Sequence, residues 1–540
     1  MIRLSFKPLS LGLLTLACMA AASTASAGTL TTWLGSGTSS NWSTANNWTT
    51  TPTTSGTFSL VYEGNRIRMT GTNNLGPDAV KVDSILFAST VGSSTSNFTL
   101  AKSATTPALS LLNGATVTTT AATSGTLSDS ISSNLEFGGT ATFNMGLRHN
   151  LLLSGTLSGG GSIVKQGAGD LTFSGTNNLV ALSIEQGVVQ VNQAIAFGGI
   201  TGLTVDIGSS GQTGTFRTNN VVSGTTPYQT NIKFNLNGDA NITPNNSNIT
   251  FNAANFNEAV AGVTTPVTLS LVGGTAIAKG TQTINGVIQD NSASEKVNVT
   301  IGTATSENIW VLNGINTYTG DTTVAAGGKL LMNGTISGSS TTTSYGYLGG
   351  SGTFGGAVIV SSGTLAPGGS SVSGTVSNTV GTLTMASLSL SSSATTQMTI
   401  TGTAAGLYDQ IIATNNIAYG GLLQLTMSGS YANDTVFQLF QSGTESESFS
   451  SLTMVGGSGP YAGLTFGAMG TGGYGADAWV SDWTTPSAPD GQRLVFYQNT
   501  GVLAVVPEPS TYAMALAWLA CGGWQIVRRR RLRQAPNLTA

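Results

Sequence analysis

The sequence predicts an all-β fold in which many short strands stack into one elongated solenoid. Three observations predict it. Glycine accounts for 72 of the 540 residues, and Ser, Thr and Asn fill much of the remainder. Charged residues make up only 8%, against about 25% in an average soluble protein. The hydrophobic fraction is 39%, arranged as short runs of Val, Leu, Ile, Phe and Thr between Gly and Asn. Disordered polar chains lack such apolar runs. The interleaving marks many short strands joined by tight turns.

The elements follow in chain order. Residues 1–27 read as a secretory signal peptide. Arg3 and Lys7 form its positive start, Leu9 to Ala22 its apolar stretch, and Ala25-Ser26-Ala27 a small-residue cleavage site with processing after Ala27. Lipoprotein processing at Cys18 is the rival reading, and Thr15 stands where a Leu is usual. Residues 28–160 are expected to hold an N-terminal cap and the first coils. Trp33, Trp42 and Trp48 fall there, expected to cover the open end of the stack. Sugar stacking on exposed indoles is the alternative role.

Residues 161–430 are the expected body of the solenoid, and internal similarity supports this. One unit runs Lys165-Gln166-Gly167-Ala168-Gly169-Asp170-Leu171-Thr172-Phe173-Ser174-Gly175-Thr176-Asn177 and continues to Gly187. A second runs Trp310-Val311-Leu312-Asn313-Gly314-Ile315-Asn316-Thr317-Tyr318-Thr319-Gly320 and continues through Thr323, Val324, Gly327 and Leu330. A looser third spans Gly350 to Gly368. Each reads strand, polar Gly-x-Asn turn, strand, Gly turn, strand. No segment is long enough to bury its own apolar face. Stacking at about 4.8 Å places like residues over like and builds a narrow continuous core. Glycine is expected at corners with positive φ, and Asn is expected to stack in ladders at turns.

These units resemble the autotransporter-associated β-strand repeat, also called the passenger-associated transport repeat. Gly167, Gly169, Leu171, Gly175 and Asn177 carry the resemblance in the first unit, and Leu312, Gly314, Asn316, Tyr318, Thr319 and Gly320 in the second. Thr364-Leu365-Ala366-Pro367-Gly368 and Leu407-Tyr408-Asp409-Gln410-Ile411 look like the sequence that follows such repeats. The resemblance implies a right-handed parallel β-helix. A β-barrel of alternating strands, as in an autotransporter, is not what the C-terminus reads as.

Residues 431–506, with Phe449, Tyr461, Trp479 and Trp483, are expected to form a C-terminal cap or β region whose last clear strand is Arg493 to Tyr497. Beyond it, residues 507–533 combine Pro507-Glu508-Pro509, an apolar stretch from Tyr512 to Val527, and the cluster Arg528, Arg529, Arg530, Arg531 and Arg533. As a helix, Thr511 to Val527 spans about 25 Å, enough for a short single transmembrane helix. The arginines would hold residues 534–540 as a cytoplasmic tail. The prolines keep the site extended and open to a protease. This tripartite end resembles the PEP-CTERM sorting signal. The resemblance implies cleavage by an exosortase-type membrane protease and delivery to the cell surface or an exopolysaccharide matrix. A plain membrane anchor is the alternative.

Two of the 19 basic residues lie in the N-terminal signal and five in the tail, and Glu508 is the one acidic residue of 22 in the terminal segments. The segment from Gly28 to Val506 therefore has a formal charge of −9. That gives no electrostatic basis for nucleic-acid binding. Cys18 and Cys521 both fall in terminal segments, which excludes a central disulfide framework or thiolate metal site.

No catalytic constellation emerges, and no cofactor or metal is expected. His149 is the one histidine, and a lone His reads as a surface or turn residue. Asp170, Glu185, Asp290, Glu295, Asp321 and Asp409 are the carboxylates from which a glycosidase pair would have to come, with Asp409 read as a turn acceptor. Glu445 and Glu447 read as solvated. The Gly167-to-Leu171 stretch lacks the tandem spacing of a calcium nonapeptide. The expected function is a non-enzymatic surface or matrix protein with a structural or adhesive role, exported through the secretion translocon. The alternative is an extracellular polysaccharide-acting enzyme or glycan-binding protein.

Overall fold

The structure is a computed structural model. It describes residues 28–507 apart from residues 65, 67, 77, 89–96, 104–107, 193–201, 220–227, 246–247, 253–255, 257–265, 274–279, 291–293, 306–307, 373–374 and 485–490. The signal segment and the segment after Pro507 lie outside the described residues, and with them the expected membrane helix. Among the described residues no helix is long and apolar enough to cross a membrane. All regular elements described are β-strands.

Most strands belong to long parallel sheets that the chain revisits in turn. One sheet begins at Thr29–Thr32, pairs with Thr57–Glu63, then Val80–Ala88, and proceeds to Lys233–Leu236. A second runs from Thr70–Asn73 through Leu127–Ile131, His149–Leu153 and Asp170–Phe173 into the C-terminal half. A third joins Tyr228–Thr230, Ile249–Phe251, Thr281–Ile284, Ile309–Leu312 and Lys329–Met332 and continues to Ser451–Met454. Each return adds one strand beside the last. The central part of the chain takes three strands per return: Thr322–Val324, Lys329–Met332 and Thr335–Ile336 pair with Thr342–Ser344, Tyr347–Gly350 and Thr353–Val360.

Strict alternation along each strand decides what enters the core. Leu127, Asp129 and Ile131 point inward, as do Val297, Val299 and Ile301. In-register parallel pairing then aligns these positions. One inward column reads Asp129, Leu151, Leu171, Val189, Phe216, Ile242, Leu271, Ile301 and Val324. All are buried. A one-residue slip would turn the whole set to solvent.

The turns divide the glycines into two kinds. Gly167 and Gly187 have φ of +71° and +75°, the expected corner conformation. Gly314, Gly334 and Gly352 do not. There the reason is close approach: a Cβ on Gly334 would lie 2.1 Å from the Gly314 carbonyl oxygen, and one on Gly352 2.2 Å from that of Gly334. Asparagine stacks as expected. Nδ2 of Asn285 donates to Oδ1 of Asn252 at 2.9 Å, Asn313 to Asn285 at 2.9 Å, and Asn333 to Asn313 at 3.3 Å.

The first and last described segments are built differently. Trp48 packs edge-on to Trp33 and Trp42 with ring centroids 5.1 and 5.0 Å apart, and all three are buried. At the other end a four-stranded antiparallel sheet has the order Val436–Gln438, Val502–Pro507, Gln492–Tyr497, Ala478–Val480. Its Gly501 carbonyl accepts from the N–H groups of Leu439 and Phe440 at 2.9 and 3.1 Å. The strand expected to be last, Arg493 to Tyr497, is followed by Val502–Pro507, which pairs with it. The turn Gln498 to Gly501 is short enough for the chain to fold straight back.

Candidate functional site

The candidate carboxylates act as internal acceptors. Asp290 accepts from the N–H of Val297 at 2.8 Å and from the N–H and hydroxyl of Thr319 at 2.9 and 2.6 Å. Asp321 accepts from the Thr341 N–H at 3.1 Å. Asp170 faces Arg217 at 3.3 Å, and Glu185 accepts from the Gln166 side-chain amide at 2.9 Å. Glu295 is half-buried before the strand Val297–Ile301. Asp409 is buried and joins two segments, accepting from the Gly381 N–H at 2.7 Å and the Thr399 N–H at 2.6 Å. Burial pushes its carboxyl up to about 7, against the pull of those hydrogen bonds. A carboxylate directed at backbone N–H groups, as at Asp290, Asp321 and Asp409, acts as a brace between segments.

His149 departs from its expected place. It is 1% exposed, with both ring nitrogens engaged inside the core. Lys165 is a further buried ion that sequence reading passed over. Its ammonium donates to the carbonyls of Gln166, Gly167 and Gln186 at 3.0, 2.7 and 2.9 Å. Burial pushes it down to about 7, and the Asp170 charge pulls the other way. The buried indoles at Trp33, Trp42 and Trp48 are closed to sugar stacking. Among the described residues no three His, Cys, Asp or Glu side chains gather to hold a metal ion.

What stays open is surface. A trough of about 400 Å³ crosses successive turns, with Gly327, Gly328, Gly346 and Gly363 in its floor and Lys329, Tyr347 and Thr364 along it. Its floor admits no side chains, since a Cβ on Gly346 would lie 2.3 Å from the carbonyl oxygens of Ala325 and Gly328. Tyr347 leans toward Ile309, Val311 and Leu331, an apolar patch on the outside of the third sheet. The hairpin of Ser370–Val372 and Thr375–Ser377 lies over that patch through Val376, and Ser371 hydrogen-bonds Thr281. Burial, with the Asp409 charge adding to it, pushes the Tyr347 hydroxyl up to about 12. The trough therefore offers one cation, a neutral phenol, threonine hydroxyls and bare backbone, a surface suited to contact and poor in acid–base chemistry.

Of the expected processing residues, Pro507 ends the last described strand, paired with Gln492. Glu508, Pro509, Arg528, Arg529, Arg530, Arg531, Arg533 and the cleavage residues Ala25 and Ala27 lie outside the described residues. Compared with protein-family models and with curated proteins, the chain matches none.

Proposed function

We propose that this chain is an exported structural or adhesive protein of the cell surface or exopolysaccharide matrix, folded as a right-handed parallel β-helix. The observation that carries the reading is the exposed amide ladder of Gln229, Asn252, Asn285, Asn313 and Asn333. It is a periodic, uncharged row of donors and acceptors, its asparagines each just past the end of a parallel strand. Each amide binds weakly. A row at about 4.8 Å spacing engages a long polar polymer many times over, so avidity grows with polymer length. The bracing of Asp290, Asp321 and Asp409 against backbone N–H groups supports contact over catalysis.

In this reading the C-terminal segment is a PEP-CTERM-type sorting signal. The chain crosses the translocon, is held transiently by the apolar segment after Thr511, and is released by an exosortase-type protease. Pairing of Pro507 with Gln492 supports it. The expected cleavage motif then begins at the end of the last described strand.

A panel of neutral and acidic polysaccharides of graded length tests the functional part. Binding that strengthens with length and leaves the polymer intact is expected. Depolymerisation would move the chain to the polysaccharide-acting enzyme class. Mass spectrometry of the native protein's C-terminus tests the sorting part. The expected mature end lies near Pro507, and an intact arginine tail on the surface form would contradict it.

A further inference from the structure

Asp129 opens a core column whose later members are aliphatic or aromatic from Leu151 to Ile242. Its carboxylate and the His149 ring are both fully withdrawn from solvent. Oδ1 of Asp129 accepts from the Phe98 N–H at 2.7 Å. Oδ2 lies 2.7 Å from Nε2 of His149, whose Nδ1 lies 2.7 Å from the Thr120 carbonyl oxygen. A carbonyl oxygen only accepts, so Nδ1 carries a proton. The Nε2–Oδ2 contact needs a second, since two lone pairs do not meet at that distance in a dry interior. The pair therefore holds two protons, one more than a neutral imidazole and a carboxylate hold together.

We propose that His149 and Asp129 form a proton-dependent latch that fastens the strand Thr99–Lys102, the strand Leu127–Ile131, the strand His149–Leu153 and the turn at Thr120 to one another. With the extra proton in place, each strand is tied to the next through one buried network. Its withdrawal to hydroxide leaves the Nε2 lone pair against a carboxylate, and the segment opens to let water in. Above about pH 6.5, where an unfolded histidine is neutral, the folded chain then holds one proton more than the unfolded chain, so local stability falls as pH rises through that range.

Among the described residues, the nearby charges are exposed or engaged elsewhere. Lys102 bonds Asn134 at the surface, and Arg148 and Glu136 are exposed. Asp170 faces outward to Arg217. Lys165 is engaged by its three carbonyls. The remaining buried ion among the described residues, Asp409, is tied to Gly381 and Thr399. On the proposed export, the protein meets external pH directly, so such a latch would loosen the N-terminal third in alkaline surroundings.

Amide hydrogen exchange on the full chain tests this, with each rate corrected for its intrinsic pH dependence. Between about pH 6 and about pH 9, protection over residues 98–153 should fall about tenfold or more relative to residues 309–332, which lie clear of the Asp409 carboxyl. Asp129→Asn should abolish the difference. Its amide donates to a neutral Nε2 while its oxygen keeps the Phe98 N–H, so no extra proton is needed. His149→Gln, which donates to Asp129 without titrating, should do the same, and serves if the first variant fails to fold. Equal loss of protection in either folded variant, or no loss in the parent chain, overturns the latch. So does an Nδ1 of this single histidine that nitrogen-15 spectra show bare at about pH 6.

Discussion

The ammonium of Lys165 reaches the carbonyl oxygen of Gln186 at 2.9 Å, tying one turn to the next returning turn of the chain. A backbone corner leaves carbonyls that the strand ladder does not use, and a buried carbonyl without a donor is costly. Lys165 supplies all three of its donors to that corner from inside the core. Lys165→Met keeps the stem and removes the donors. At about pH 6, where the ammonium prevails, it should lower unfolding free energy by about 3 kcal/mol in a urea titration. A neutral effect would mean water satisfies the corner.

Asp409 makes the C-terminal half lose stability as pH rises. Its carboxyl is raised to about 7 from the ordinary carboxylate range. A raised folded value means the folded chain binds the proton more tightly than the unfolded chain. The associated stability is fully present below about pH 4 and is lost as pH rises through about 7. Thermal unfolding should therefore show the parent chain losing stability over that window, relative to Asp409→Asn. The variant itself should be weaker throughout by about 1–3 kcal/mol, because its amide faces a backbone N–H. Parallel pH profiles would contradict the assignment.

Gly334 tests the close-approach glycines. A Cβ there would lie 2.1 Å from the Gly314 carbonyl oxygen. Backbone must move, so Gly334→Ala should cost about 1–3 kcal/mol or more in chemical unfolding. A stabilised variant, which loss of unfolded-state entropy alone would give, would show that neighbouring strands are further apart than described.

The asparagine ladder predicts coupling. Asn313 bonds Asn285 on one side and Asn333 on the other. Asn313→Ala removes both links and should cost about 1 kcal/mol, given the exposed setting. Combined with Asn285→Ala, the loss should fall short of the two single losses added, because one bond is shared. Strict additivity would show that the amides do not interact in solution.

Strand alternation, Asn turns and corner glycines such as Gly167 were legible in the sequence, because each is a local consequence of period and φ. The second glycine class was not, since nothing local tells Gly334 from a corner residue. Its constraint comes from a carbonyl on the neighbouring strand. The run Ile309-Trp310-Val311-Leu312 lacks alternation because both of its faces are buried, the outer one beneath the hairpin of Ser370–Val372 and Thr375–Ser377. His149 and Lys165 were misjudged or passed over for one reason. Composition rules place charge at the surface, and only chain closure reveals the partners that let these two stay inside. The trough likewise depends on stacked turns far apart in sequence.

Cross-linking across the stack tests the parallel architecture most directly. Thr323 and Thr343 are in-register neighbours, and Thr343 is next paired with Ile359. With Cys18 and Cys521 replaced by Ser, the chain carries no other thiol. Adjacent strands stand about 4.8 Å apart, within disulfide reach, and next-but-one strands about 10 Å apart, beyond it. Thr323→Cys with Thr343→Cys should oxidise readily to an intramolecular disulfide, and Thr323→Cys with Ile359→Cys should stay reduced. The reverse pattern, or no difference between the pairs, would contradict strand-upon-strand stacking.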